Sequence, residues 1–285
     1  MAAGTALRIC DSGYGRSTYG KNPDGSKPTI VLLHGYLESL DVWDDFTRLL
    51  SPQLRVIALD LPGHGVSEVK GEVHTMEFLA DVVRGVLDGQ GVGKCVLAGH
   101  SMGGYVALAF LRKYPELLDG IILFHSFSGA DSSQTLKRRQ REIDIVLSGK
   151  KDLLANTVAA GFAEQNRKRF ADEIADLSEQ VFLTEEAGVA ALLRGMSERS
   201  DSNETLSASG VPQMFIFGRC DEYITADTAE EMIAKHPQAE VLWLDNSGHM
   251  GFIEEPQKSA DAIIDFCQRA SGIAFSPEAA AQASE

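Results

Sequence analysis

The chain predicts an α/β protein in which a mostly parallel central β-sheet is flanked by helices and interrupted by an inserted helical cap. Three observations carry that expectation. Short, continuous apolar runs alternate with longer stretches whose apolar residues recur every three or four positions, the pattern of buried strands covered on both faces by helices. Roughly 80 residues, from about Ser126 to Ala208, then show helical and charged patterning with no strand, far more than a crossover between parallel strands needs. Finally, a side chain capable of chemistry follows almost every apolar run, where the carboxyl ends of parallel strands share one edge.

Taken in order, residues 5–20 mix short polar and apolar patches with glycines and read as an antiparallel edge hairpin; Asn22-Pro23-Asp24-Gly25 is a turn signal. Residues 29–33 form the first buried strand, ending at His34-Gly35-Tyr36. Leu40, Trp43, Phe46, Leu49 and Leu50 lie at helical spacing, and residues 54–59 make the next strand, which runs into Asp60-Leu61-Pro62-Gly63-His64-Gly65-Val66-Ser67. A helix with one wet face is expected over 75–87, a strand over 95–98, a buried helix after Gly104 that stops at Tyr114-Pro115, and a strand over 121–124. After the insertion, strands at 213–217 and 241–244 are separated by a helix near 228–235, and a last helix covers about 256–270. This divides the chain into a core of 1–126 and 209–285 and a cap of 127–208, with an Ala/Ser/Glu-rich tail at 271–285 expected to be disordered.

Composition narrows the function. The 285 residues carry 41 acidic and 26 basic side chains, a formal charge of −15, which repels phosphate backbones and anionic lipid and argues against nucleic-acid binding. No run approaches the roughly 18 apolar residues of a membrane helix, and the first residues lack a secretory pattern. Cys10, Cys95, Cys220 and Cys267 are scattered without metal-site spacing, which suits free thiols in the cytoplasm. No phosphate loop and no zinc-protease motif occurs, so neither a cofactor nor a metal is expected, and nothing sets the oligomeric state.

Gly99-His100-Ser101-Met102-Gly103-Gly104 is the stretch that points to chemistry. Ser101 falls on a strand-to-helix turn, where a strained backbone is tolerated only if the residues two before and two after lack side chains. This G-x-S-x-G pattern is a known nucleophile-elbow signature. A serine hydroxyl needs a base, and the base needs an acid to hold its tautomer. His34, Asp60, Ser101, His125, Asp221 and His249 all follow strands, and Ser101, Asp221 and His249 supply nucleophile, acid and base in chain order. Glu222 and Asp245 are alternative carboxylates.

With those motifs, together with Gly218 through Asp221 and Gly248-His249-Met250, nearly the whole chain resembles the α/β-hydrolase superfamily, in particular its capped serine esterase, lipase and haloperoxidase-like members. The resemblance implies Ser101 as nucleophile, His249 as general base and acid, Asp221 as orienting carboxylate, and backbone N–H groups of Tyr36 and Met102 as the oxyanion hole. It implies that His34 and His64 are structural and that His100 packs beneath the elbow. His125 either faces the pocket or is a satisfied buried histidine. Phe127, with Phe162, Phe170, Phe182, Leu192, Leu193 and Met196, is a candidate pocket residue, although such spacing also suits cap core. The basic cluster Lys137 to Arg141 is read as a solvated helix face.

The expected activity is hydrolysis of a small carboxylic ester or thioester through an acyl-enzyme, on a small-molecule acyl substrate. Carbon–carbon bond hydrolysis and perhydrolase or haloperoxidase activity share the same triad. A receptor-like ligand-binding protein with vestigial hydrolysis is the alternative of another kind.

Overall fold

The computed structural model describes residues 7–12 and 27–273. Seven strands form one sheet in the order β1-β3-β2-β4-β5-β6-β7. Here β1 is Ile9–Asp11, β2 Thr29–Leu33, β3 Arg55–Leu59, β4 Cys95–His100, β5 Leu118–Phe124, β6 Gln213–Gly218 and β7 Glu240–Leu244. All neighbours are parallel except β1, which pairs antiparallel with β3 at the edge. An antiparallel edge strand is therefore present, while the rest of the expected hairpin and the Asn22–Gly25 turn lie outside the described residues.

The interior strands are buried throughout because helices cover both faces. One apolar cluster gathers α2 (Met76–Gly89) and α3 (Met102–Lys113) against Val31, Ile57, Leu97 and Phe215. The other packs α1 (Asp44–Leu50) and the C-terminal helix against Ile30, Val56, Val96 and Ile216. Alternate residues of each strand serve opposite faces, as the pleat requires. The expected helix over residues 40–50 divides into a 3-10 turn, Leu40–Trp43, and α1, with Ser39 capping the turn. Strand β7 is the far edge of the sheet, and Val241 is exposed there.

Between β5 and β6 the chain forms only helices: α4 (Ser133–Leu147), α5 (Asp152–Ala155), α6 (Ala171–Leu183), α7 (Glu186–Glu198) and α8 (Asn203–Ala208), with short 3-10 turns. After β6 come α9 (Ala226–Lys235), β7, α10 (Gly251–Glu254) and α11 (Pro256–Ser271). Helix α11 includes Ser271, the first residue of the expected tail, and ends where Gly272 turns left-handed at φ 67°. Residues 274–285 of that tail lie outside the described residues. No described helix is long and apolar enough to cross a membrane.

The β4–α3 turn shows why its glycines are required. Ser101 has φ 49°, and a Cβ on Gly99 would stand 2.2 Å from the carbonyl carbon of Gly103. A Cβ on Gly103 would stand 2.4 Å from the carbonyl oxygen of Leu33. Backbone cannot yield there as a flexible side chain can, so Gly99→Ala is expected to cost about 3 kcal/mol, measured by urea unfolding.

Candidate active site

The sheet order places the relevant strand ends side by side: the β2 loop with Tyr36 and Glu38, then Ser101 after β4, His125 after β5, Asp221 after β6 and His249 after β7. Among the described residues, Leu37, Ser101 and His125 are the non-glycine residues with positive φ, and all three stand at this edge. Backbone strain is thus concentrated at one place, as functional sites commonly show.

Ser101 occupies the N-cap position of α3, yet its hydroxyl makes no capping hydrogen bond. Its backbone is pinned instead: its N–H donates to Phe124 O at 2.9 Å, and Ser126 Oγ donates to Ser101 O at 2.7 Å. The hydroxyl is left for the cavity, of about 520 Å³, which Ser101, Met102, Tyr36 and His249 all line.

Asp221 is buried and fully engaged. Its Oδ1 accepts from the N–H groups of Tyr223 at 2.8 Å and Ile224 at 2.9 Å. Its Oδ2 accepts from His249 Nδ1 at 2.8 Å and from His125 Nδ1 at 3.1 Å. Burial pushes the carboxyl pKa up, but the His249 charge and the two imidazole hydrogen bonds outweigh it and hold the group well below the usual carboxylate range. With Nδ1 committed to Asp221, Nε2 is the other ring nitrogen of His249, a residue that lines the cavity. Glu222 instead pairs with Arg167 at 3.1 Å and Asp245 with Lys258 at 3.2 Å, so neither alternative carboxylate contacts His249.

His125 corrects one of the two sequence expectations for it. It does not line the cavity; it is fully buried behind Asp221, its Nε2 accepting from Gly251 N–H at 3.2 Å. That acceptor role leaves the ring proton on Nδ1, facing Asp221, and burial drives the pKa down to about 4, so the ring is neutral. His125, Asp221 and His249 offer ligand-type atoms within 4.8 Å of one another. Both Nδ1 atoms already donate to Asp221, however, so a cation there would have to displace two protons.

Sequence reasoning overlooked Glu38 and the charge state of His100. His100 Nε2 faces His249 O at 2.8 Å, and its Nδ1 faces Glu38 Oε2 at 3.1 Å. Both partners are acceptors, so both ring nitrogens donate and His100 is an imidazolium paired with a buried carboxylate. Burial lowers the His100 pKa, but Glu38 raises it further; burial raises that of Glu38, but His100 brings it down overall. Glu38 also accepts from Gly35 N–H at 2.6 Å. One ion pair therefore ties the Tyr36 loop, the elbow and the His249 loop together. The signal in the sequence is an acidic residue just past His34-Gly35, preceded by Leu37 and followed two positions on by Leu40.

The remaining residues sort by contact. Asp60 shapes its own loop, accepting from Leu40 N–H at 2.8 Å and Val66 N–H at 3.0 Å. His34 Nε2 accepts from Leu61 N–H at 3.0 Å, His64 packs beside it, and burial lowers the pKa of both. Of the apolar pocket candidates, Phe127 and Met196 line the cavity. Phe162, Phe170, Leu192 and Leu193 are core, and Phe182 faces solvent. The basic cluster is split by its helix: Lys137 and Arg141 are solvated, whereas Arg138 and Arg139 line the cavity.

An α/β sheet with a strained serine elbow and a carboxylate–histidine pair at one edge defines a hydrolase architecture. A model of the alpha/beta hydrolase fold family matches residues 28–256, and the chain belongs to that family of enzymes. It is 29% identical over 259 residues to a pimeloyl-[acyl-carrier protein] methyl ester esterase of Aeromonas hydrophila, covering 85% of this chain and 96% of that one. It is 27% identical over 282 residues to a 2-hydroxy-6-oxononadienedioate/2-hydroxy-6-oxononatrienedioate hydrolase of Paraburkholderia phymatum, covering 93% of each. Among solved structures, a thermophilic esterase from Thermogutta terrifontis superimposes with a TM-score of 0.85 and 30% identity, covering 93% of this chain and 94% of that one.

The Glu38–His100 pair leads to a prediction with a definite pH sense. His100, with its folded pKa raised, contributes stability that is complete below its unfolded pKa of about 6.5 and lost as pH rises through the folded value. Glu38, with its pKa lowered, contributes stability present above its unfolded value and lost in acid. Glu38→Gln is thus expected to cost about 3 kcal/mol near neutral pH, with the deficit shrinking as pH rises past the folded His100 value. Urea midpoints of both proteins between mildly acidic and alkaline pH test this.

Proposed function

We propose that the protein is a serine esterase that cleaves small carboxylic esters or thioesters through an acyl-enzyme. The observation that carries this reading is the 2.8 Å hydrogen bond from His249 Nδ1 to Asp221, made by a histidine that lines the same cavity as Ser101. In this mechanism His249 Nε2 takes the proton of Ser101 Oγ as the oxygen attacks the carbonyl carbon, and returns it to the departing alcohol or thiol. Water then attacks the acyl-enzyme, giving one proton to His249, which passes it to Ser101 as the acid leaves.

The backbone N–H groups of Tyr36 and Met102 are the proposed oxyanion hole. Met102 is the first residue of α3, whose N–H has no partner within the helix, and the helix dipole adds positive character at that end. Each such donor is typically worth about 2.7–4 kcal/mol to the transition state. The role of Asp221 is to fix the tautomer of His249 and stabilise the imidazolium that forms.

Helices α4 to α7 contribute Arg138, Leu154, Leu177 and Met196 to the cavity wall, which supports reading the insertion as a cap over the strand ends. The unpaired state of all four cysteines supports a reducing, cytoplasmic setting. The matched relatives include an esterase and a hydrolase of a dienedioate, so carbon–carbon bond hydrolysis on the same three side chains is the second reading.

A fluorophosphonate probe is expected to label Ser101, located by mass spectrometry, and to leave Ser101→Ala unlabelled. Asp221→Asn is expected to lower kcat on p-nitrophenyl acetate by about 10⁴-fold, because the wrong imidazole tautomer is then held. Turnover by Ser101→Ala equal to that of the wild type would refute the mechanism.

A further inference from the structure

His125 follows β5 in a conformation that costs free energy. Its φ is 48°, in the left-handed region uncommon for residues other than glycine, and its ring is fully buried. The backbone is held by its N–H, which donates to Ile216 O at 2.8 Å, and the ring stacks on that of Phe124 with centroids 5.1 Å apart. A strained and desolvated imidazole persists only where its surroundings fix it, and here both ring nitrogens are engaged.

Each nitrogen grips a different loop of the site. Nε2 accepts from the N–H of Gly251, two residues past His249, at 3.2 Å, and Nδ1 donates to Asp221 Oδ2 at 3.1 Å. A Cβ on Gly251 would stand 2.4 Å from His125 Nε2 and 2.3 Å from Leu244 Cδ1, so this close approach requires glycine. Asp221 Oδ1 is fixed by the Tyr223 and Ile224 N–H groups, but anchors on one oxygen leave the carboxylate plane free to turn about it. His249 cannot supply the second anchor, because its own orientation is what the carboxylate sets. His125 can, since its donor reaches the same Oδ2 from a ring whose centroid is 5.6 Å from that of His249. It does so without charge: burial, aided by His249 and His100, outweighs the Asp221 contact and drives the His125 pKa down to about 4.

We infer that His125 is a positioning residue for acyl transfer: it holds Asp221 Oδ2 in the plane from which that oxygen orients His249. The inference rests on the serine-esterase reading and adds a fourth side chain to the three that carry it. His125 does not line the cavity, so it acts through Asp221 and bears on kcat while leaving KM in place. Its loss costs less than loss of the Asp221 carboxylate, because the charge and the tautomer of His249 remain and only the aim of the ring loosens.

Two substitutions separate the two contacts of the ring. The amide nitrogen of asparagine can take the place of Nδ1, and asparagine tolerates positive φ, so His125→Asn keeps a donor for Asp221 and gives up the Gly251 contact. The amide oxygen of glutamine can take the place of Nε2, so His125→Gln keeps the acceptor for Gly251 and gives up the donor. With p-nitrophenyl acetate, and kcat counted per site titrated with fluorophosphonate, His125→Gln is expected to lose about tenfold or more in kcat at unchanged KM, and His125→Asn clearly less. A role confined to bracing the Gly251 loop gives the reverse order. A second measurement needs no substitution at 125: in protein labelled with ¹⁵N-histidine, the ring N–H protons of His125 and His249 are both expected to move upfield in Asp221→Asn. A His125 signal indifferent to that change, a His125→Gln enzyme as fast as the wild type, or a loss in His125→Asn equal to or larger than that in His125→Gln would overturn the inference. Labelling of Ser101 with full kcat in His125→Gln removes the positioning role alone, whereas a wild type that is neither labelled nor hydrolytic removes the esterase reading and this role with it.

Discussion

Asp221 Oδ2 is a buried, negatively charged oxygen that receives two imidazole N–H groups, from His249 and His125, while Oδ1 receives two backbone N–H groups. The rest of the site depends on this arrangement. A carboxylate removed from water is costly unless its lone pairs are filled, and here four donors fill them. Because His125 is neutral and locked by Gly251, it fixes the carboxylate without adding a second positive charge beside His249. In the esterase reading, the orientation of the base is thus set by protein groups that need not move during the reaction, which is what electrostatic preorganisation requires.

A second buried interaction performs the complementary task for the other half of the site. The His100–Glu38 pair joins three loops that are far apart in sequence, and it places Gly35 and the carbonyl of His249 relative to the elbow. Glu254 extends this bracing to the insertion, since it accepts from Gly248 N–H at 2.8 Å and Ala163 N–H at 2.9 Å. The loop carrying His249 is therefore held from the core and from the helical segment together; the N–H of His249 itself donates to Gly161 O. Movement of that segment would be transmitted to the His249 loop through these contacts.

Where local chemistry leaves one choice, the sequence is readable. Gly99 and Gly103 have no substitute at an elbow where a Cβ meets backbone, and parallel strands necessarily bring their carboxyl ends to one edge, so Ser101, Asp221 and His249 could be grouped from the chain alone. What escaped depends on direction and partnership. Periodicity shows that Phe162 and Phe170 are apolar but not that they turn into the core, and it reports a basic run at Lys137 to Arg141 without showing that Arg139 is buried and that the exposed Arg138 borders the cavity. Glu38 and His100 are 62 positions apart, and no local pattern announces such a pair. The role of His125 depends on a positive φ and on a contact with Gly251, both settled by tertiary packing.

A crystal structure of the phosphonylated protein bears most closely on the proposed roles of Ser101, His249 and Asp221, because it traps a tetrahedral mimic of the acyl-transfer transition state. Expected there are phosphorus bonded to Ser101 Oγ, the phosphoryl oxygen within hydrogen-bond distance of the Tyr36 and Met102 N–H groups, and His249 still bonded to Asp221 with Nε2 directed at the adduct. A phosphoryl oxygen bound elsewhere, or a His249 ring turned away from Asp221 and out of reach of the adduct, would contradict this expectation.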